Sequence, residues 1–196
     1  MTTEPIFAWL LGYLFGSIPF GLLLTRVAGK GDVRDVGSGS IGATNVLRAG
    51  GKGPAAATLV LDCLKATAAI LLAGRLWPGS ESFAATGALI GHLYPAWLRF
   101  RGGKGVATLL GILIALLPIA AGVYAIIWLA LLLTIRISSV AGMAAAVSAP
   151  ITAAILGVDS LFPMLLGFTL LVIWKHRTNI VRLRAGTEPR IGKGSR

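Results

Sequence analysis

Residues 105–134 read GVATLLGILIALLPIAAGVYAIIWLALLLT, a run without a single charged residue. A helix needs roughly 20 apolar residues to cross the hydrocarbon core of a bilayer, with roughly 17 as the lower end. This run is too long for one crossing, and Pro118 interrupts it with a residue that breaks a helix interior. The stretch therefore predicts a membrane protein, either with one over-long span here or with two short spans that turn near Pro118.

The composition of the whole chain agrees with a membrane location. Of its 196 residues, 56% are hydrophobic and 13% are charged, whereas soluble domains carry roughly 25% charged residues. Too little polar surface remains to coat a water-soluble globule. We therefore exclude a soluble domain. The net charge of +11 favours anionic lipid or phosphorylated substrates as partners over nucleic acid.

The apolar residues form seven segments bounded by glycine, proline or charge. They span about 5–25, 54–76, 82–98, 105–117, 119–134, 139–157 and 160–175. We predict an all-α integral membrane protein with about seven transmembrane helices and one polytopic domain, residues 1–196. Seven crossings make the region near Pro118 a tight hairpin of two short spans.

Charge placement sets the predicted orientation. With seven spans, one side holds most of the Lys and Arg residues, Lys193 and Arg196 among them. Cytoplasmic loops carry such an excess, so the N-terminus is predicted outside and the C-terminus in the cytoplasm. The loops predicted on the cytoplasmic face lie at about 26–53, 99–104, 135–139 and 176–190. The opposite side keeps Arg75, Glu4, Glu81 and Asp159.

Two charged residues interrupt the second apolar segment. Asp62 and Lys65 are three residues apart and therefore share one helix face. Charges at that depth are costly and usually pair inside the helix bundle. The simplest interpretation is an ion pair that fixes helix packing.

The first long loop reads DVRDVGSGSIGATNVLR at residues 32–48. It contains a formal G-x-G-x-x-G, but a dinucleotide site needs a preceding strand, and an apolar helical segment precedes it here. Glycines let a backbone approach a ligand closely, and successive N–H groups form an anion-binding concavity. Side chains that add hydrogen bonds or charge are Ser38, Thr44, Asn45 and Arg48. The pattern favours a phosphate site over a merely solvated loop.

The second loop reads GHLYPAWLRFRGGKG at residues 91–105. Three glycines surround Lys104 where the fourth apolar segment begins, and a helix start with free N–H groups favours an anion. The spacing is not that of a phosphate-binding P-loop motif. Positive charge on the cytoplasmic side explains Arg99 and Arg101 but not the glycines. We interpret His92 as a helix-end histidine that interacts with the helix dipole.

The C-terminal stretch reads KHRTNIVRLRAGTE at residues 175–188. His176 stands where the last apolar segment ends, and it suits a proton acceptor or a phosphate donor, or a helix-end histidine. Glu188 is an acid in a basic tail, which indicates a partner for one of the arginines there.

Together the three stretches resemble the acyl-phosphate:glycerol-3-phosphate acyltransferases, the PlsY family of bacterial phospholipid synthesis. Ser17-Ile18-Pro19-Phe20-Gly21 with the first loop resembles its first motif, residues 91–108 its second and residues 176–188 its third. Asp62 with Lys65 fits the second helix of that family. The chain departs from the family pattern at Ser40, where Asn is usual, and at Ala66, where Gly is usual.

The resemblance implies a seven-helix enzyme of the bacterial cytoplasmic membrane. It would move a fatty acyl group from acyl phosphate to the 1-hydroxyl of glycerol 3-phosphate. The products would be lysophosphatidic acid and phosphate, the first acylation of phospholipid synthesis. The resemblance implies no cofactor, metal, acyl-CoA or acyl carrier protein. Expected partners are the two substrates and membrane lipid, without nucleic acid or an obligate protein partner.

The resemblance also implies the site residues. Expected catalytic residues are Ser38, Arg48, Lys104, His176 and Asn179. Expected substrate-binding residues are Gly37, Gly39, Thr44, Asn45, Gly102, Gly103, Gly105, Ser139 and Glu188. Another large group of glycerolipid acyltransferases uses a His followed five positions later by Asp, whereas Trp97 follows His92 and Val181 follows His176 at that distance.

The expected chemistry brings two phosphates together, with Arg48, Lys104 and backbone N–H groups offsetting their repulsion. The glycerol hydroxyl would attack the acyl carbon directly. His176 is either the base or a residue that orients a substrate phosphate, and the resemblance favours the second role. A different class of function is a membrane transporter or channel for an organic or phosphorylated anion. A transporter needs polar groups that reach both faces, and the one-sided polar chemistry favours an enzyme over a transporter or a scaffold.

Overall fold

A computed structural model of the chain describes residues 3–49 and 51–192. All regular structure in these ranges is helical, as predicted, and Lys193 and Arg196 lie outside the described residues. The α-helices are α1 Glu4–Gly16, α2 Phe20–Val27, α3 Ala43–Arg48, α4 Lys52–Leu76, α5 Glu81–Leu93, α6 Val106–Leu116, α7 Pro118–Thr134, α8 Ser138–Ile155, α9 Phe162–Lys175 and α10 Arg177–Arg184. Short 3-10 helices cover Val33–Asp35 and Ala96–Leu98.

The helices vary in their reach across a bilayer. Within the described ranges, three stretches are long and apolar enough to cross a membrane: Glu4–Val27, Lys52–Leu76 and Ser138–Ile155. The helices α6, α7 and α9 are apolar but shorter. Each of the seven predicted apolar segments contains at least one of these helices or α5. The number of crossings remains a prediction.

Prolines explain where the predicted segments break. The first is interrupted between α1 and α2 at Pro19, and the third ends as a helix at Leu93, just before Tyr94 and Pro95. A residue that precedes proline is disfavoured in the helical region. For the same reason Leu117 is not helical, with φ −152° and ψ 74°, and α7 begins at Pro118. The predicted break near Pro118 is confirmed.

The chain divides into two compact units, Met1–Leu116 and Leu117–Arg196. In the first unit, α1 and α5 meet backbone to backbone. Gly12 and Gly16 of α1 lie against the backbone of α5, and Gly87 and Gly91 of α5 lie against the backbone of α1. A methyl group at any of the four would overlap the opposite helix. Small residues of this kind let membrane helices approach closely.

A small apolar cluster fixes the first loop within the same unit. Its buried members are Leu22, Val33, Ile41, Val46 and Ala55. They come from α2, the loop, α3 and α4, so the loop is packed on the helices rather than merely solvated.

In the second unit, α8 packs between α7 and α9. The packed faces are rich in alanine, with Ala141, Ala145 and Ala149 fully buried. Thr169 of α9 donates a hydrogen bond of 2.7 Å to the carbonyl of Ala146. Such interhelical bonds supplement van der Waals packing between apolar helices.

Candidate active site

Asn45 closes the first loop on itself. Its Nδ2 donates to the carbonyls of Val33, Val36 and Ser40 at 2.7, 3.0 and 2.9 Å. Its Oδ1 accepts from the backbone N–H of Ser38 at 2.9 Å. The residue is 1% exposed, so its amide organises the loop. Substrate binding by Asn45 itself remains a prediction.

Glycines bring the catalytic candidates of this loop together. Gly37 and Gly39 have φ of 59° and 65°, a left-handed backbone that glycine adopts without a steric penalty. A Cβ at Gly37 would lie 2.5 Å from Oδ1 of Asn45 and 3.3 Å from Cδ of Arg48. The side chain of Arg48 therefore passes directly over the turn that carries Ser38. Thr44 lies in the first turn of α3.

Hydroxyl groups also meet in this turn. Oγ of Ser38 lies 3.1 Å from Oγ of Ser40. Ser40 thus supports the hydroxyl of Ser38.

A second arginine of the loop, Arg34, forms an ion pair with Asp32. Nε and Nη2 of Arg34 donate to the two carboxylate oxygens of Asp32 at 2.9 and 2.6 Å. Hydrogen bonding to Arg34 holds the pKa of Asp32 well below its ordinary value. Arg26 adds a longer bond to Asp32 of 3.2 Å. The guanidinium of Arg34 is therefore engaged within the loop itself.

The second loop is built against His92. The N–H of Gly103 donates to the carbonyl of His92 at 3.0 Å. A methyl group on Gly102 would overlap that carbonyl, and one on Gly103 would overlap the imidazole ring. Gly105, with φ of 89°, then starts α6. Gly102 and Gly103 are therefore required by their close approach to His92, and Gly105 by its positive φ.

The ring of His92 belongs to a buried polar network. Its Nδ1 lies 3.1 Å from Nζ of Lys65, which also donates to Asp62 at 2.6 Å and to the carbonyl of Ile18 at 2.8 Å. Because an ammonium only donates, Nδ1 accepts from a charged Lys65. The ion pair predicted from the sequence is present. His92 is a helix-end histidine, as predicted, since it lies in the last turn of α5, and its buried ring also joins α5 to α4.

Removing one member of the buried pair is expected to destabilise the protein strongly. Asp62→Leu leaves the ammonium of Lys65 uncompensated, with an expected loss of about 3–5 kcal/mol in unfolding free energy. The double variant Asp62→Leu/Lys65→Leu is expected to lose less than the sum of the two single variants. Denaturant unfolding of the purified protein measures all four forms. Strictly additive losses would contradict the coupling.

Glu188 organises a cluster in the second unit. Its Oε1 accepts from Oγ of Ser139 at 2.8 Å and from Nδ2 of Asn179 at 2.6 Å, and its Oε2 accepts from Nε of Arg182 at 2.7 Å. The Glu188 side chain is 2% exposed. The prediction that Glu188 is the partner of a tail arginine is confirmed. Among the described residues, Nη2 of Arg182 is buried without a hydrogen bond.

This geometry predicts a pH-dependent contribution to stability. Burial raises the pKa of Glu188, but hydrogen bonds from Asn179, Ser139 and Arg182 outweigh it, and the pKa is lowered from 4.5. A carboxylate with a lowered pKa stabilises the fold above its unfolded pKa and loses that effect as the pH falls through the folded pKa.

Glu188→Gln is therefore expected to lower the thermal midpoint at neutral pH. The difference from the wild type is expected to shrink only as the pH falls from about 5 to about 2, because the folded pKa of Glu188 lies below 4.5. Thermal unfolding across this range measures it. Glu4→Gln, at the exposed start of α1, is the control. A difference that is independent of pH would contradict the assignment.

His176 lies at the junction of α9 and α10 and is 3% exposed. Its Nδ1 is 2.7 Å from the carbonyl of Val172. Because a carbonyl only accepts, Nδ1 carries the proton, and Nε2 is the acceptor nitrogen of the neutral ring. This tautomer suits a base, and the protonated ring suits a phosphate donor, so both predicted roles remain open.

The predicted site residues are thus divided between the two units. The first unit holds Gly37, Ser38, Gly39, Thr44, Asn45, Arg48, Gly102, Gly103, Lys104 and Gly105. The second holds Ser139, His176, Asn179 and Glu188. Two contacts were not predicted from the sequence: that of His92 with Lys65, and the choice of Arg182, among the arginines of the tail, as the partner of Glu188. The signal for the role of His92 was the ion pair of Asp62 and Lys65. A buried lysine ammonium has three N–H donors, so it needs acceptors in addition to one carboxylate.

Comparison with known proteins gives concordant matches. A family model described as glycerol-3-phosphate acyltransferase matches residues 6–186. A glycerol-3-phosphate acyltransferase of Mesorhizobium japonicum is 55% identical over 192 residues, which cover 98% of both chains. One of Rhodopseudomonas palustris is 54% identical over 190 residues, or 96% of both chains.

Solved structures are similar over nearly the full length. The crystal structure of PlsY, an integral membrane glycerol 3-phosphate acyltransferase, in its glycerol 3-phosphate form has a TM-score of 0.90 at 37% identity and covers 96% of both chains. Its lysophosphatidic acid form has a TM-score of 0.87 at 36% identity and covers 96% of this chain and 95% of that one.

Proposed function

The chain belongs to the glycerol-3-phosphate acyltransferase family, and we propose that it transfers a fatty acyl group to the 1-hydroxyl of glycerol 3-phosphate. The observation that carries the proposal is the family match over residues 6–186, together with a relative that is 55% identical over 98% of the chain. The family and the class of enzyme predicted from the sequence are confirmed. The transporter interpretation is therefore set aside.

The donor is fatty acyl phosphate, and the products are lysophosphatidic acid and inorganic phosphate. The glycine turns beside Arg48 and Lys104 support a donor that carries phosphate, because backbone N–H groups and cations both favour such an anion. Neither histidine has an Asp five positions later, which separates the chain from that other acyltransferase group.

In the first unit, Arg48, Lys104 and Ser38 bind the phosphates. The Gly37 turn lets the Arg48 side chain lie across the loop, and the network through His92 holds the backbone on which Lys104 stands. Asn45 is a positioning residue, since its hydrogen bonds fix the carbonyls and one N–H of the loop. The N–H groups of Gly37, Gly102 and Gly105 are the expected backbone donors to substrate, whereas the N–H of Gly39 donates to the carbonyl of Val36.

In the second unit, the carboxylate of Glu188 positions Ser139 and Asn179 as polar groups for substrate. His176 supplies either the base or a hydrogen bond to a substrate phosphate. Both roles depend on the same anchor, the hydrogen bond from Nδ1 to the carbonyl of Val172.

The reaction is one direct displacement. The 1-hydroxyl oxygen forms a bond to the acyl carbon, the bond between that carbon and the phosphate oxygen breaks, and phosphate leaves with its electron pair. The hydroxyl proton passes to His176 or to a substrate phosphate. Rapid quench with labelled acyl phosphate tests this sequence, and covalent label on Ser38 would contradict it.

Purified protein should release phosphate only when acyl phosphate and glycerol 3-phosphate are both present, with lysophosphatidic acid formed in equal amount. Acyl-CoA and acyl carrier protein thioester serve as alternative donors in parallel reactions. Turnover with a thioester but not with acyl phosphate would overturn the donor. No turnover with any donor would overturn the acyltransferase proposal for this chain.

The orientation follows from charge. The chain acts as one membrane domain of seven crossings in the bacterial cytoplasmic membrane, with its N-terminus outside and the glycine loops in the cytoplasm. Cysteine labelling in a Cys63→Ala background tests it: Lys30→Cys should react only from the inside and Asp159→Cys only from the outside. The reverse pattern would overturn the orientation.

A further inference from the structure

The first unit carries a cleft at the end remote from its glycine loops. The cleft has a volume of about 330 Å³, within the range of roughly 300–1,000 Å³ typical of small-molecule sites. It lies between the C-terminal ends of α4 and α6 and the beginning of α5. Apolar side chains of Ile70, Leu71 and Leu116 form much of its wall.

Two opposite charges share this cleft. Arg75 comes from the last turn of α4 and Glu81 from the first turn of α5, and both line it. In the part of the chain that the structure describes, neither forms an ion pair with the other or with a third residue. The carboxylate of Glu81 is held close to the helix, since a Cβ on Gly74 would lie 2.9 Å from its Oε1.

Aromatic side chains mark the same level of the unit. Trp77, which ends α4, stacks on Phe7 of α1 with ring centroids 6.0 Å apart. Tryptophan is enriched where membrane helices meet the headgroup region. The nearby leucines Leu71 and Leu76 are more than half exposed, so the outer wall of the cleft faces acyl chains.

We propose that this cleft binds the headgroup of a zwitterionic phospholipid with a primary amine, phosphatidylethanolamine. Arg75 binds the phosphate, which its guanidinium can contact with two N–H groups. Glu81 accepts hydrogen bonds from the ammonium group, which a quaternary choline headgroup cannot donate. The glycerol and the first acyl carbons lie against the apolar wall.

The cleft is separate from the proposed active site. Arg75 and Lys52 stand near opposite ends of α4, about 35 Å apart at 1.5 Å of rise per residue. Substitutions in the cleft are therefore expected to leave acyl transfer unchanged, and activity reports whether each variant is folded. Failure of the acyltransferase proposal and failure of this one are distinguishable, because lipid affinity is measured without the substrates.

The test uses the full chain in detergent and measures apparent affinity by native mass spectrometry. The probes are phosphatidylethanolamine, phosphatidylcholine and phosphatidylglycerol. Phosphatidylethanolamine should bind at least about tenfold more tightly than the other two, since each lacks a charge-assisted contact. Arg75→Gln and Glu81→Gln should each weaken its binding about tenfold or more.

Gly74→Ala provides a second, steric variant. Its methyl group displaces the Glu81 carboxylate and should weaken phosphatidylethanolamine binding, whereas Gly122→Ala, with open space around it, should not. Glu4→Gln is the control for loss of an exposed acid. Equal affinity for the three lipids overturns the proposal. So does unchanged phosphatidylethanolamine affinity in both charge variants.

Discussion

Gly103→Ala is expected to lower kcat/KM for glycerol 3-phosphate by about two orders of magnitude, because small misplacements of catalytic groups have effects of that size. The added methyl group would overlap the imidazole of His92. That ring is 3% exposed and is held by Lys65, which is itself bonded to Asp62 and Ile18. Because the ring is buried and hydrogen-bonded, we expect the loop at Gly102–Gly105 to shift instead and to displace Lys104.

Steady-state kinetics and thermal unfolding of the same preparations separate this effect from misfolding. Gly53→Ala is the matched control, because nothing lies within 4 Å of a methyl group at that position in α4. We expect it to retain wild-type activity. Wild-type kcat/KM in Gly103→Ala would show that the loop adapts and that its contact with His92 does not position Lys104.

Arg48→Lys is expected to lower kcat/KM by about 100-fold although the positive charge is kept. A guanidinium offers a planar fork that matches phosphate, whereas an ammonium is a point charge on a flexible stem. The left-handed turn at Gly37 is shaped around the Arg48 side chain, with Cδ near the space that a Cβ would fill. A lysine side chain fits the same space beside Gly37 but loses the two-point contact with phosphate.

Arg34→Lys in the same loop is the matched control. Its guanidinium is engaged by both oxygens of Asp32, so the substitution should change stability modestly and kcat/KM only a few-fold. Substrate-saturation curves for both variants make the comparison. An equal loss of kcat/KM in the two variants would contradict a specific phosphate contact by Arg48. It would mean that each arginine acts through the shape of the loop or through its general charge.

Much of the fold could be predicted from the sequence, because apolar length and proline act locally. The break at Leu117 and Pro118 followed from the length of one apolar run. The end of α5 at Leu93 was missed, although Pro95 carried the signal, because apolar residues continue beyond it. The first apolar segment was likewise predicted as continuous across Pro19, where α1 and α2 separate.

The candidate site was predictable where its chemistry is local and not where it depends on distant pairing. Glycines around Lys104 and beside Arg48 could be identified from the sequence. In the network of His92, Lys65 contacts His92, which is 27 positions away, and the carbonyl of Ile18, which is 47 positions away. No periodicity reports such a contact. Asn45 illustrates the same limit, since its hydrogen bonds to Val33 and Val36, 12 and 9 positions away, were not predicted from the sequence.

The Asp62–Lys65 pair also bears on how the chain enters the membrane during synthesis. Each charge at the centre of an inserting helix costs roughly 2.5–3.5 kcal/mol on insertion scales. The two residues lie one turn apart in α4, and their side chains meet at 2.6 Å. The helix therefore brings its own counter-charge and can leave the translocation machinery before α5 has been synthesised. His92 then arrives at a pair that is already neutral as a whole, so the order of synthesis matches the order of assembly.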